Sequence, residues 1–139
     1  MSEQQTLDMG PGTYAIPLSL FHDNRQRVCN ALKTASKIDQ NIFILLQGGN
    51  EINLYNTDVE YVFRQESFFT YFFGVREPGF FGAINVSSGN CTLFMPRLPR
   101  EYATWMGKLW TCDDIKKRYA VNSVKYVDET LNIIHSNNQ

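Results

Sequence analysis

The sequence has little that would mark a chemical centre. Its 139 residues include two histidines, His22 and His135, far apart in the chain. Neither belongs to an HExxH pair or a Cys/His cluster, the spacings that hold zinc, so both read as exposed or satisfied side chains. Cysteine is scarce and odd in number: Cys29, Cys91 and Cys112. Such wide spacing excludes a dense disulfide framework and reads as reduced, mostly buried thiols of a cytoplasmic protein. Gly48-Gly49 has neither the GxGxxG spacing nor a following Lys-Ser/Thr, so no phosphate cradle is indicated. No serine lies in a GxSxG context. The formal charge is −1, which removes the electrostatic case for nucleic acid or an anionic membrane. No apolar run approaches the roughly 20 residues needed to span a bilayer. The polar start Ser2-Glu3-Gln4-Gln5 does not read as a signal peptide. Repeats and low-complexity tracts are missing too.

What is present is a core. Hydrophobic residues make up 43% of the chain, enough for one globular domain. The densest apolar stretch is Phe63 to Gly74. Aromatic and β-branched residues favour a pleated surface, so Phe68–Phe73 reads as a strand. Both parities of the run are apolar, which predicts a strand covered on both faces in the middle of a sheet. Arg64, Gln65, Glu66 and Ser67 precede it. Polar groups against a core element are expected to be hydrogen-bonded, so they read as a structural loop that fixes register.

The rest of the chain gives an α/β pattern. Residues 1–13 read as a flexible leader ending in Gly10-Pro11-Gly12. Leu18 to Ala35 follows a helical period, with Leu18, Phe21, Val28 and Leu32 on one stripe and Cys29 beside it. Ile42–Leu46 is a short apolar run expected to form a buried strand. Glu51–Val62 reads as a loop with a short helix. Phe80–Val86 and Cys91–Met95 flank Ser87-Ser88-Gly89-Asn90, a hairpin signal; Pro96 and Pro99 end it. Thr111-Cys112-Asp113-Asp114 resembles a capping box, with a helix running to Tyr119. Val124–Val127 reads as a strand, and Asp128 as the cap of a final helix carrying Leu131, Ile133 and Ile134. Asp58 and Glu60, the one alternating carboxylate pair, read as caps or as acceptors for backbone amides. Of the two tryptophans, Trp110 is expected in the core. Trp105 is expected to be exposed, because Gly107 beside it suggests a loop. The residues alone yield no catalytic and no metal-binding position.

Several segments resemble the N-terminal domain of the prolidase family, the Xaa-Pro dipeptidases, within the wider aminopeptidase P and creatinase group. They are Phe63-Arg64-Gln65-Glu66-Ser67-Phe68-Phe69, Phe73-Gly74-Val75 with Glu77-Pro78-Gly79, Pro96-Arg97-Leu98-Pro99, and Ala103-Thr104-Trp105-Met106-Gly107-Lys108. Asn24-Arg25-Gln26-Arg27, Leu46-Gln47-Gly48-Gly49 and Tyr126-Val127-Asp128-Glu129 agree with it. The resemblance implies a single domain over residues 14–139, with a mixed β-sheet of about five to six strands flanked by helices. It also implies a metallopeptidase parent that hydrolyses dipeptides with C-terminal proline, using two manganese ions in a pita-bread catalytic domain outside this chain. No cofactor, metal ligand or catalytic residue is carried over to this sequence. The implied partners are that catalytic domain, a second subunit of a homodimer, and a dipeptide substrate. Trp105 is implied to wall the partner subunit's substrate site. Another strand follows the Asp128–His135 pattern in the family, so one sheet edge is expected to lie open to another chain. The alternative is a free-standing binding or scaffold domain with the same fold and no peptidase attached.

Overall fold

A computed structural model describes residues 5–35 and 42–129. Among the described residues six strands form, divided between two sheets. In the main sheet, β3 (Phe43–Gln47), β4 (Phe81–Asn85), β5 (Cys91–Met95) and β6 (Ser123–Tyr126) lie in the order β3-β4-β5-β6. The first two junctions are antiparallel, and β5 pairs with β6 in parallel. The sheet is therefore mixed, as the α/β reading expects. A parallel junction needs a crossover. It is made by a 3₁₀ turn (Arg100–Tyr102), a one-turn helix α3 (Ala103–Met106) and α4 (Cys112–Tyr119). Thr111 and Asp114 complete a reciprocal capping box at the start of α4.

Part of the segment read as a flexible leader is paired: β1 (Thr6–Leu7) bonds to β2 (Ile16–Pro17), and Leu7 is buried while residues 8, 9 and 11–13 are exposed. Helix α1 (Ser19–Ala35) then buries Phe21, Asn24, Arg25 and Cys29, the i, i+3, i+4 stripe of one helix face.

The aromatic run is a helix, not a central strand: α2 covers Ser67–Phe73. Two local signals outweigh aromatic β propensity. Glu66 accepts hydrogen bonds from the Phe68 and Phe69 amides at 3.1 and 2.7 Å, as an N-cap does. Gly74 closes the other end at φ +66°, its amide donating to the Thr70 carbonyl. That left-handed cap suits glycine, and a Cβ here would overlap the Phe21 ring. Phe69, Phe72 and Phe73 are buried while Phe68 and Tyr71 face outward. The double apolar parity was thus a helical stripe plus exposed rings.

The face of the sheet carrying Ile44, Leu46, Ile84, Leu93 and Val124 joins the core cluster. Helices α1, α2 and α4 supply Phe21, Phe73 and Ile115 to the same cluster. Strand β3 is at the sheet edge among the described residues, with Leu45 57% exposed, so it is not the fully buried strand its apolar run suggested. Residues 51–62 contain no helix. They form an arm closed by the bridge Asn53–Glu60. Asp128 lies in a 3₁₀ turn (Val127–Glu129), and the expected final helix lies outside the described residues. Among the described residues no helix is long and apolar enough to cross a membrane.

Candidate functional site

Gln65 ties three segments together. Its Oε1 accepts from the Gly49 amide at 2.6 Å and the Glu66 amide at 3.1 Å, and its Nε2 donates to the Glu77 carbonyl at 3.0 Å. The amide side chain thereby fixes the Gly48-Gly49 turn and the start of α2 against the Glu77 loop. Glu66 caps α2, and Ser67 is its first residue. The exposed Arg64 side chain makes no ion pair among the described residues.

The Glu77 loop leads into a groove of about 290 Å³. Pro78, Pro96, Leu98, Tyr102, Trp110 and Tyr126 supply its apolar surface, and Glu51, Glu77, Arg97 and Lys108 its charges. Three of the segments that carry the family resemblance thus meet here: Glu77-Pro78, Pro96-Arg97-Leu98 and the stretch ending at Lys108. Behind the lining residue Glu77, Tyr119 donates to the Glu77 carboxylate and accepts from the Arg76 amide and Arg118 Nε, each at 3.3 Å. Burial, followed by the Glu77 hydrogen bond, pushes the Tyr119 hydroxyl up to about 12. Arg118 pairs with Glu77 at 3.6 Å and stacks over Trp110, 5.2 Å from the ring centroid. On the rim, Arg97 lies 3.7 Å above the Tyr126 ring and pairs with Asp128 and Glu129 at 3.0 and 3.1 Å. The Asp128 hydrogen bond holds the Arg97 guanidinium more firmly protonated than usual. The groove is a mostly apolar slot with charges of both signs among its lining residues.

Trp110 corrects the expectation of a core anchor, since it is 50% exposed at the groove. Trp105 belongs to α3, and its side chain lies outside the described residues. Among the described residues no backbone amide donates to the Asp58 or Glu60 carboxylate. The neighbouring Thr57 hydroxyl takes one instead, the Val59 amide at 3.3 Å. His22 is exposed on α1, and His135 lies outside the described residues. Among the described residues no group of three or more His, Cys, Asp or Glu is placed to hold a metal ion. Cys29 and Cys91 are buried, and burial pushes the thiols of Cys29 and Cys112 up, away from nucleophilic use.

Two polar groupings escaped the reading of the sequence. One is Asn24 with Arg25, buried between α1 and α2; the other is the Glu77–Tyr119–Arg118 cluster. The first had a visible signal, an Asn-Arg pair on the Phe21–Val28 stripe of a helix. The second joins residues 42 positions apart and had none.

Residues 21–139 match the family model described as aminopeptidase P, N-terminal domain. The Xaa-Pro dipeptidase of Rattus norvegicus is 45% identical over 133 residues, covering 96% of this chain and 27% of the relative. That of Homo sapiens is 47% identical over 128 residues, covering 92% and 26%. The chain thus spans about a quarter of the length of the curated relatives it matches. Among solved structures, Pseudomonas aeruginosa aminopeptidase PepP superposes with a TM-score of 0.70 at 23% identity, over 87% of this chain and 26% of that one. Aminopeptidase P from E. coli gives 0.68 at 20%, over 87% and 27%; both likenesses concern the fold. By its sequence match and its fold, the chain belongs to the aminopeptidase P N-terminal domain family.

Proposed function

We propose that this chain is the non-catalytic N-terminal domain of an Xaa-Pro dipeptidase, supporting dimerisation and walling the active site of its parent enzyme. The observation that carries the reading is the convergence of Glu77-Pro78, Pro96-Arg97-Leu98 and Lys108 on one groove, in a chain 45% identical to a dipeptidase over 96% of its length. The rings of Tyr55, Tyr61, Phe68 and Tyr71 are also exposed, and aromatic residues are enriched at protein interfaces. In this reading two manganese ions sit in the parent's catalytic domain, where such a pair activates a bridging water and polarises the scissile carbonyl. This chain's residues do other work. Trp105 walls the partner subunit's substrate site, excluding water and positioning the dipeptide. The Gln65 and Glu77 contacts hold the groove in shape.

The test is a chimera in which this chain replaces the matching part of the rat enzyme. It is expected to load metal and release proline from Gly-Pro. Trp105→Ala in the chimera is expected to lower kcat/KM while metal content and melting temperature hold. A folded, metal-loaded chimera without dipeptidase activity would overturn the proposal.

A further inference from the structure

The groove beside the Glu77 loop, at about 290 Å³, lies at the lower end of the roughly 300–1,000 Å³ of ligand pockets. That size fits a small molecule. Its four charged lining residues are not equally committed. Glu77 accepts from the Tyr119 hydroxyl and pairs with Arg118. Arg97 is held by Asp128 and Glu129. Glu51 has no ion pair among the described residues. Lys108, its side chain 82% exposed, reaches Asp114 at 3.6 Å. That same Asp114 oxygen already accepts from the Thr111 amide and hydroxyl. One anion and one cation are thus left to face a ligand. Among the other lining residues, Tyr102 and Trp110 are half-exposed aromatic rings.

We propose that this groove binds a zwitterionic dipeptide whose second residue is proline. Glu51 takes the ammonium, Lys108 takes the carboxylate, and Tyr102 and Trp110 pack against the prolyl ring. Charge decides the class of ligand. A purely anionic or cationic molecule would meet a like charge at Glu51 or Lys108, whereas a zwitterion is complementary to both. The aromatic lining decides the residue. Proline suits such grooves because its ring is apolar and its fixed φ leaves little freedom to lose on binding. The inference deepens the proposed function and rests on it for the supply of such dipeptides: the chain then grips the substrate as well as walling it in. Exposed charges contribute little each and the ligand has few atoms, so binding is millimolar.

NMR titration of the purified chain with Gly-Pro tests this. The Trp110 indole and the amides of Glu51 and Lys108 should shift and saturate at millimolar peptide. Gly-Gly lacks the ring and should bind about threefold or more weakly. Acetyl-Gly-Pro and Gly-Pro amide each lack one charge and should weaken by a similar factor. Glu51→Gln should bind Gly-Pro and acetyl-Gly-Pro alike, and Lys108→Gln should bind Gly-Pro and its amide alike. Both residues are exposed, so circular dichroism should show the fold kept. No saturable shift, equal binding of Gly-Gly, or variants that still tell the blocked peptides apart would overturn the proposal. So would a blocked oligoproline bound more tightly than Gly-Pro, which would make the groove a site for protein segments. Dipeptidase activity of the chimera is a separate readout. An active chimera, with no binding by this chain, would remove the groove's ligand and leave the parent enzyme standing.

Discussion

Arg25 on α1 donates from Nη1 to the carbonyl oxygen of Phe72 on α2 at 2.6 Å. Next to it, Asn24 donates from Nδ2 to the Tyr71 carbonyl at 2.9 Å. Those carbonyls belong to the last turn of a seven-residue helix, where no amide of the helix itself can reach them. Helix α1 thus caps α2 from the side, and the cation meets the negative end of the α2 dipole. Only 2% of Arg25 is exposed, and burial lowers its pKa. Arg25→Met is expected to cost about 2–3 kcal/mol, the range for a hydrogen bond to a charged group plus a carbonyl left unpaired. Arg25→Lys should recover little, since an ammonium is a compact, strongly hydrated point charge. Urea midpoints of the three proteins are the measurement; a loss well under 1 kcal/mol for Arg25→Met would remove the capping role.

Tyr119 sets an alkaline limit. It is 1% exposed, and burial plus the Glu77 carboxylate raise its hydroxyl from 10.0 to about 12. A raised pKa means that the fold favours the protonated phenol. That contribution is fully present below the unfolded value of about 10. It falls as pH rises from there and is gone above about 12. A gap of this size corresponds to about 2–3 kcal/mol. Stability measured against pH should therefore drop more steeply between those limits in the wild type than in Tyr119→Phe. Parallel curves would show that the phenol does not couple to folding.

The Glu66 cap is the local feature that turns an aromatic strand pattern into a helix. Glu66→Ala leaves the Phe68 and Phe69 amides without their acceptor and should cost about 1 kcal/mol. Glu66→Asp keeps a carboxylate of better cap length and should cost less. Thermal melts of the two variants make the comparison; equal losses would mean that the carboxylate is incidental.

How far the sequence announced these features depended on whether their causes were local. The hairpin of β4 and β5, the Thr111–Asp114 box and α1 all declared themselves through turn residues, caps and period. Phe68–Phe73 did not, because the spacing of Phe69, Phe72 and Phe73 is hidden when Phe68 and Tyr71 are aromatic as well. Glu is also a less familiar cap than Ser or Asp. Trp110 seemed destined for the core by size alone, whereas its exposed face is supported by Arg118, a partner eight positions away that stacks on it. At the groove, the Glu77, Pro96–Leu98 and Lys108 segments could be recognised one by one from the family resemblance. Their meeting in space required the β5–β6 crossover, which no local pattern encodes.

Gly82 shows how closely α2 sits on the sheet. It lies in β4 opposite Leu46 and Leu93, and a Cβ there would run into the Phe73 ring. Its role is close approach, since a helix carrying a buried phenylalanine can reach the strand only where no side chain intervenes. Gly82→Ala should cost about 1–3 kcal/mol by overpacking, even though alanine is the better residue for unfolded-state entropy. Phe73→Leu alone should destabilise by leaving a void. In the double variant the smaller side chain makes room for the new methyl, so the two losses should fall short of their sum by more than about 0.5 kcal/mol. Urea denaturation of the four proteins closes the cycle. Strict additivity would show that α2 relaxes away from β4 and that the contact between Phe73 and Gly82 does not set the distance of the helix from the sheet.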